Sequence, residues 1–309
     1  MGNNVYGLDI GFGDKKESKR SEGNKIKSSK SPSIIAYASD EAIDMPMFEG
    51  KRYYIGESAL VSDSSRIIDM TGYEQLEELS PLFIWEFLDN NNLEVEDIDK
   101  LVIGLSFAHI KNAKKYIKRI SKFKVNGKVY DLSDKIILLP QGVGAKYTIE
   151  EFYQNIPKNY LIIDLGFLTL DSVDIINNTV RPENVSGEQG LGVIKIARNI
   201  QEYIAEEFNE HISIKEAKEI LIDKSYYISG KEHDLSEVIN AFSTKYTKMI
   251  MSYLEKKHDR DFKKYKKIFF VGGGAHFIKK TKDIIEVLKK PEYANSIGNL
   301  LRGEEEINK

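Results

Sequence analysis

Val5-Tyr6-Gly7-Leu8-Asp9-Ile10-Gly11-Phe12-Gly13-Asp14 reads as an apolar strand that runs out into an aspartate and a glycine turn. The arrangement returns about half a chain later as Leu161-Ile162-Ile163-Asp164-Leu165-Gly166-Phe167-Leu168-Thr169. A third turn, made only of glycines, closes Ile268-Phe269-Phe270-Val271-Gly272-Gly273-Gly274. Glycine turns let backbone N–H groups approach phosphate oxygens, because no Cβ intrudes and positive φ is accessible. An aspartate at a strand end can orient a hydrated Mg²⁺. Two such turns in this order, with the third behind them, point to a triphosphate held by one clip from each of two lobes, the glycine turn offering a surface for the base.

Outward from these turns, further apolar runs predict strands at 101–107, 136–139 and 170–176 beside those at 5–10, 160–164 and 268–271. Helical periodicity joins them. Leu82, Phe83, Trp85, Phe87 and Leu88 mark one helix; Ala113, Tyr116, Ile117 and Ile120 a second. Val193, Ile196, Ala197, Ile200 and Ile204 mark a third, and Val238, Phe242, Tyr246, Met249, Ile250 and Leu254 a fourth. Strands alternating with helices give an α/β class, with an architectural duplication in which each half opens on a hairpin. A helix beginning near Gly142 connects the halves. Residues 15–30 fit this worst, with a single aliphatic residue, Ile26, where two strands should lie. Gly23-Asn24 supplies the turn, and strands this polar are expected to be edges, largely solvated or disordered.

Composition narrows the class. A chain of 309 residues, 41% hydrophobic and 30% charged, suits two globular domains. Its net charge of -3 gives no global electrostatic reason to bind nucleic acid, so direct contact with nucleic acid is not expected. There is no cysteine, which removes disulfides, a thiolate nucleophile and cysteine-based zinc sites. No apolar run approaches the roughly 20 residues of a membrane span, and a strand starting at Val5 leaves no room for a signal peptide. A cytoplasmic protein is expected.

These residues resemble the actin superfamily, and within it the bacterial plasmid-segregation actins, the ParM-like group. The first turn is similar to that group's Asp-x-Gly-(Tyr/Phe)-Gly-x-x-Lys at Asp9, Gly11, Phe12, Gly13 and Lys16. Ser31-Pro32-Ser33-Ile34-Ile35-Ala36, Tyr53-Tyr54-Ile55-Gly56-Glu57-Ser58-Ala59 and Leu139-Pro140-Gln141-Gly142-Val143-Gly144-Ala145 resemble its next segments in order. Asp164, Gly166 and Thr169 resemble the second phosphate turn, Gly272-Gly273-Gly274 the adenosine turn, and Pro291-Glu292-Tyr293-Ala294-Asn295-Ser296-Ile297-Gly298 the closing Ala-Asn-x-x-Gly stretch.

The resemblance implies an actin-like, ribonuclease-H-like duplicated fold of two lobes with a nucleotide cleft between them. Domain I would span 1–142 plus about 291–309, with a small outer subdomain at about 32–75, and domain II 143–290. It implies ATP or GTP with Mg²⁺ as cofactors. Asp9 and Asp164 would hold the metal, and Gln141 would orient the attacking water. Gly11, Phe12, Gly13 and Asp14, with Gly166, Phe167, Leu168 and Thr169, would offer amides to phosphate, and Lys16 a point charge. Arg198, Gln201 and Glu202, at i, i+3 and i+4 of one helix, would face ribose and base together with Gly272, Gly273 and Gly274. It further implies head-to-tail filaments, a contact that does not close, and an adaptor protein bound to plasmid centromere DNA, without a membrane partner.

Other readings stay open at this stage. A sugar or acid kinase shares the superfold, although no second carboxylate motif stands ready as a base. A cell-shape filament would carry an amphipathic membrane segment, and the polar tail at 302–309 argues against one. His109, His211 and His233 read as surface or cap residues, 256–267 as a solvated helix end, and Met45-Pro46-Met47-Phe48 as a filament contact or local core.

Overall fold

The computed structural model describes residues 4–309 except 69 and 71. The chain forms two compact units, Met1–Ile156 with Glu292–Lys309, and Pro157–Pro291. The division therefore falls after the helix Val143–Phe152, where the sequence expectation put it before that helix.

In the first unit a five-stranded sheet runs in the order Ile136–Pro140, Lys100–Leu105, Val5–Ile10, Asp14–Arg20, Ile26–Pro32. Its first three strands are parallel, and two antiparallel hairpin pairings follow. Val5–Ile10 is buried along its whole length, which accounts for its nearly continuous apolar reading. The helix Tyr73–Asn90 packs Leu76, Leu79, Leu82, Phe83 and Phe87 into a core shared with Leu8, Ile10, Leu101 and Ile103. The last helix, Ala294–Ile307, meets the strand at Gly7, where a Cβ would lie 2.0 Å from Ser296 O. It crosses Val143–Phe152 just as closely, since a Cβ on Gly298 would stand 1.7 Å from Gly144 O. A six-stranded outer sheet joins Lys128–Asp131, Lys122–Val125, Met47–Phe48, Lys51–Ile55, Ile35–Tyr37 and Ile67–Ile68 in that order. There Phe48 belongs to the core while Met47 is exposed.

The polar stretch expected to be solvated or disordered is instead two ordered strands, Asp14–Arg20 and Ile26–Pro32, of which only the second is an edge. Side-chain pairing supplies what apolar burial would have. Lys15 Nζ donates to Glu86 Oε2 at 2.6 Å, and Ser18 Oγ shares hydrogens with Ser28 and Ser296 Oγ at 2.8 and 2.9 Å. Lys19 bonds the Asn91 carbonyl group, and Arg20 forks onto Glu304 with two bonds of 2.7 Å.

The second unit repeats the sheet order of the first. Ile285–Val287, Lys267–Val271 and Tyr160–Leu165 lie parallel, then Thr169–Ile176 and Thr179–Val180 fold back antiparallel. Helices Ile194–Phe208 and Ser236–Phe262 bury Ile196, Ile200, Ile204, Tyr246, Ile250 and Leu254 against it.

Three expectations need correcting. The strand placed at 101–107 stops at Leu105, and Phe107–Asn112 is a 3-10 segment. His109 in that segment is buried rather than a surface residue, 5.8 Å from the Phe12 ring and 4.9 Å from Tyr73. The run 256–267 is only partly solvated: His258 and Tyr265 are buried and bonded through Nδ1 and the phenol at 3.2 Å. His211 is exposed as expected, while His233 packs edge-on against Phe208 at 4.8 Å.

Candidate functional site

In the first unit the sheet brings the strand-end aspartate, the lysine and the glutamine together. Asp9 and Lys16 face one another across the hairpin in register. Lys16 Nζ stands 3.6 Å from Asp9 Oδ2, and both residues are buried. Lys15, its neighbour, points to the other face because strand side chains alternate, and so reaches Glu86 instead. Gln141 Nε2 donates to Asp9 Oδ1 at 2.5 Å, placing the glutamine at the carboxylate that begins the turn. Gly104 leaves the room for this: a Cβ there would sit 3.3 Å from Gln141 Cγ and 3.4 Å from Asp9 Oδ1.

The first turn is closed by Gly11 N donating to Asp14 O at 3.2 Å, and Gly13 O accepts from Ser33 N at 3.2 Å. A trans peptide aims its N–H opposite to its C=O, so Asp14 N–H points away from Ser33. Phe12 leans on His109, whose imidazole is pushed below its ordinary value chiefly by burial, with Glu74 opposing.

The second turn is built more completely. Gly166 N donates to Thr169 O at 2.9 Å, as Gly11 does to Asp14. The carbonyls of Gly166, Phe167 and Leu168 all accept bonds from the segment Gly190–Ile194: Val193 N at 3.2 Å, Ile194 N at 2.9 Å, and Gly190 N at 2.7 Å with Gly192 N at 3.2 Å. Since these peptides are trans, the N–H groups of Phe167, Leu168 and Thr169 are turned the opposite way. Successive amides aimed to one side are the kind of arrangement that binds anions in backbone nests. Tyr246 secures the clamp from behind, its hydroxyl donating to Leu191 O at 2.7 Å.

Asp164 is the penultimate residue of the preceding strand Tyr160–Leu165, buried, with the glycine turn against it. A Cβ on Gly272 would come within 2.2 Å of Asp164 Oδ1 and 2.4 Å of Leu165 O, at a φ of +82°. A Cβ on Gly274 would meet Val193 Cγ1 at 2.8 Å and Leu165 Cβ at 2.9 Å, whereas nothing lies within 4 Å of one on Gly273. Gly272 and Gly274 thus serve packing, and Gly273 is the member with an open face.

Arg198, Gln201 and Glu202 do share the helix Ile194–Phe208. Arg198 and Glu202 are exposed, but the Gln201 amide is committed, Nε2 donating to Ile212 O at 2.8 Å. Glu188, left unassigned from the sequence, accepts from Lys257 at 2.8 Å and Tyr253 at 3.0 Å, and the Lys257 bond chiefly holds its carboxyl below the ordinary range.

Sequence reading missed several supporting residues. Asp171 stands directly across the hairpin from Asp164, fully buried, so a second carboxylate shares its face; counting the alternation along Thr169–Ile176 would have found it. Asn299 Nδ2 donates to Leu8 O at 2.7 Å and Asn295 Oδ1 accepts from Gly142 N at 2.9 Å. These two asparagines fix the strand before Asp9 and the residue after Gln141; the Ala294-Asn295-x-x-Gly298 spacing was the signal for Asn295, while Asn299 lies one residue beyond it.

For a magnesium ion, the donor chemistry fits: carboxylate oxygens are hard ligands of the kind Mg²⁺ takes. Both Asp9 oxygens already have side-chain partners, which suits an ion held through its water shell. Among the described residues no group of three or more His, Cys, Asp or Glu is placed to hold a metal.

Residues 7–144 match a family model described as the N-terminal domain of actin-like proteins, and residues 162–283 one described as the C-terminal part of the archaeal actin homologue MreB-like. A search of curated protein sequences returns no match. Among solved structures, a ParM from a 15-stranded filament of Clostridium botulinum is 19% identical, with TM-score 0.78 over 99% of this chain and 100% of that one. Ta0583, an archaeal actin homologue, is 20% identical with TM-score 0.77 over 97% and 99%. Bacillus thuringiensis ParM with ATP is 19% identical with TM-score 0.65 over 99% and 100%.

Proposed function

We propose that this chain, which matches actin-like family models over residues 7–144 and 162–283, is a ParM-like member of the actin superfamily that binds ATP or GTP with Mg²⁺, hydrolyses it, and assembles with copies of itself into head-to-tail filaments. In this reading the filament works in the cytoplasm and segregates plasmid DNA by polymerisation, through an adaptor protein bound to centromere DNA. The observation that carries the nucleotide half is the second turn, whose three carbonyls are all drawn to Gly190–Ile194 so that the amides of Phe167, Leu168 and Thr169 are presented together. The first turn supplies Gly11, Phe12, Gly13 and Asp14 to phosphate in the same manner, with Lys16 as a nearby cation.

Asp9 and Asp164 are the carboxylates that would hold Mg²⁺, which supplies charge neutralisation to the triphosphate when bound. Gln141 gives its amide N–H to Asp9, which leaves its carbonyl oxygen to accept a hydrogen bond from the attacking water. A glutamine orients water rather than deprotonating it. Gly273 offers the open backbone surface for the base, and Arg198 and Glu202 stand on the helix assigned to the ribose.

Head-to-tail assembly is a heterologous contact and gives fibres. The test is sedimentation and calorimetry of the purified chain with ATP and with GTP in magnesium buffer. Binding of a triphosphate and pelletable polymer that requires it are expected, and hydrolysis per subunit should rise with protein concentration. Failure of both nucleotides to bind the folded protein overturns the reading.

A further inference from the structure

The net charge of -3 conceals a one-sided stretch: residues 101–130 contain eight lysine or arginine residues and no aspartate or glutamate. The 3-10 segment Phe107–Asn112 runs into the helix Ala113–Ser121, which passes directly into the strand Lys122–Val125. The helix turns Tyr116 and Ile120 into the core of the first unit. At 100° per residue, Lys111, Lys114, Lys115 and Lys118 collect on the opposite side, and all four are exposed. The strand continues the pattern, with Phe123 and Val125 inward and Lys122 and Lys124 outward.

Part of this charge is answered locally. Lys115 reaches Glu77 at 3.0 Å, Arg119 reaches Glu49 at 2.6 Å, and Lys122 reaches Asp131 at 2.6 Å. Lys111, Lys114, Lys118 and Lys124 make no ion pair among the described residues. Lys111, Lys114 and Lys118 share one side of the helical segment and Lys124 stands on the outward side of the strand that follows it, all four exposed and without ion pairs, which raises a local positive potential that the whole-chain charge does not show.

The surroundings select the kind of anion. A lipid surface would need an apolar helix side to enter the headgroup region. Here that side is buried, and Ile117 alone among the helix's large apolar residues is exposed, at 38%. Single-stranded nucleic acid would need a stacking platform, and Tyr116 and Tyr130 are both buried; a protein partner would need a clustered apolar anchor, and the exposed aliphatic residues here, Ile117 and Val129, stand singly on separate elements. Duplex phosphate needs only spaced cations. Lys114 and Lys118 are separated by roughly 6 Å of helix rise, comparable to two phosphate steps of about 3.4 Å along one strand.

We propose that the face formed by Lys111, Lys114, Lys118 and Lys124 is a docking surface for double-stranded nucleic acid, gripping its phosphate backbone without regard to sequence. Four neutralised phosphates give a slope of log K against log salt of about -3.6, and so about 150-fold weaker binding at 200 than at 50 mM salt.

The test is fluorescence anisotropy of nucleotide-free full-length protein with a labelled random-sequence duplex across that salt range. The expected result is binding with that slope, halved in Lys114→Glu/Lys118→Glu and unchanged in Lys27→Glu/Lys30→Glu, which makes the same charge change on the exposed edge strand. A thermal melt shows that both variants fold, since none of the four lysines enters the core. Absence of duplex binding at 50 mM salt, an unchanged slope in Lys114→Glu/Lys118→Glu, or binding to phosphatidylserine vesicles in place of the duplex each overturns the proposal.

Discussion

Replacing the three turn glycines by alanine one at a time separates packing from ligand contact within three consecutive residues. At Gly272 the new methyl would lie 2.4 Å from a backbone oxygen, Leu165 O, and the residue would hold a φ of +82°. Backbone strain of this kind costs on the order of 1–3 kcal/mol, and the overlap with a carbonyl cannot be relieved by a rotamer change. A loss of about 2–4 kcal/mol corresponds to a drop of roughly 8–16 °C in the melting midpoint of a unit this size. Gly274→Ala meets Val193 Cγ1 at 2.8 Å and Leu165 Cβ and O at 2.9 Å and should lose less, since these contacts are longer than those at Gly272 and its φ is not in the left-handed region. Gly273→Ala meets nothing within 4 Å, so its melting midpoint should hold or rise slightly, because alanine restricts the unfolded chain by about 0.4–1 kcal/mol. If Gly273 is the surface on which the base rests, that same methyl occupies ligand space. The Kd for ATP or GTP should then rise at least about tenfold, or about 1.4 kcal/mol, in a protein as stable as the parent. The assay pairs thermal melting with calorimetric titration of each nucleotide. Parental affinity in Gly273→Ala, within a factor of two, refutes the assignment of this turn to the nucleotide.

Two further outcomes follow from buried ionisable groups. Lys15 and Glu86 form a buried pair at 2.6 Å with side-chain exposures of 3% and 12%; Lys15→Met alone strands a buried carboxylate and should cost about 3–5 kcal/mol, whereas Lys15→Met with Glu86→Leu should recover most of it. Urea unfolding of the two single variants and the double gives the coupling directly, and additive losses would rule the pair out as the hairpin's anchor. His109 and His258 are both pushed below their ordinary value by burial. Both are neutral folded and unfolded at higher pH, and below about 6.5 the unfolded chain takes up the proton first, so stability falls with pH by up to about 1.4 kcal/mol per unit for each histidine. Melting midpoints from pH 7.5 to 5.5 should therefore decline, and His109→Phe should decline less steeply; parallel curves for parent and variant would exclude a buried neutral His109.

The main strands were legible, though not their order in the sheets, because they are continuous apolar runs ended by glycine or aspartate: Val5–Ile10 and Tyr160–Leu165 begin where the periodicity places them. The hairpin at 14–32 and its turn at Gly23-Asn24 were legible, but its burial was not, because that burial is electrostatic. A lysine on a strand reads as solvent-facing until its partner is known, and Glu86 lies 71 residues away on a helix whose own reading rests on leucine and phenylalanine. His109 failed for the same reason: the aromatic rings that enclose it, Phe12 and Tyr73, come from distant segments. Among the site residues, Asp9, Lys16 and Gln141 assemble within the first unit. The Gln201 amide, chosen from helix spacing alone, is instead spent on Ile212 O, since spacing fixes a face of a helix but not what stands opposite it.

The two halves share one sheet order yet secure their turns by different means, and that difference bears on which residues are free to change. The second turn is fixed by its own backbone: three carbonyls held by the amides of Gly190–Ile194 set the direction of the neighbouring N–H groups whatever side chains stand at 167 and 168. Phe167 and Leu168 can therefore occupy a position where the fold asks only for peptide groups, with Leu168 packed inward and the Phe167 ring beneath Lys218 at 5.7 Å. The first turn depends on side chains, through Lys15 on Glu86, Lys16 on Asp9, and Ser18 on Ser296. A backbone-held clip tolerates sequence drift, whereas a charge-held one is sensitive to the loss of any single partner, because a buried charge left alone costs more than the pair is worth. The polar composition of 14–20, which made that strand hard to read, is the means by which the first turn is tied at once to the helix Tyr73–Asn90 and to the helix Ala294–Ile307.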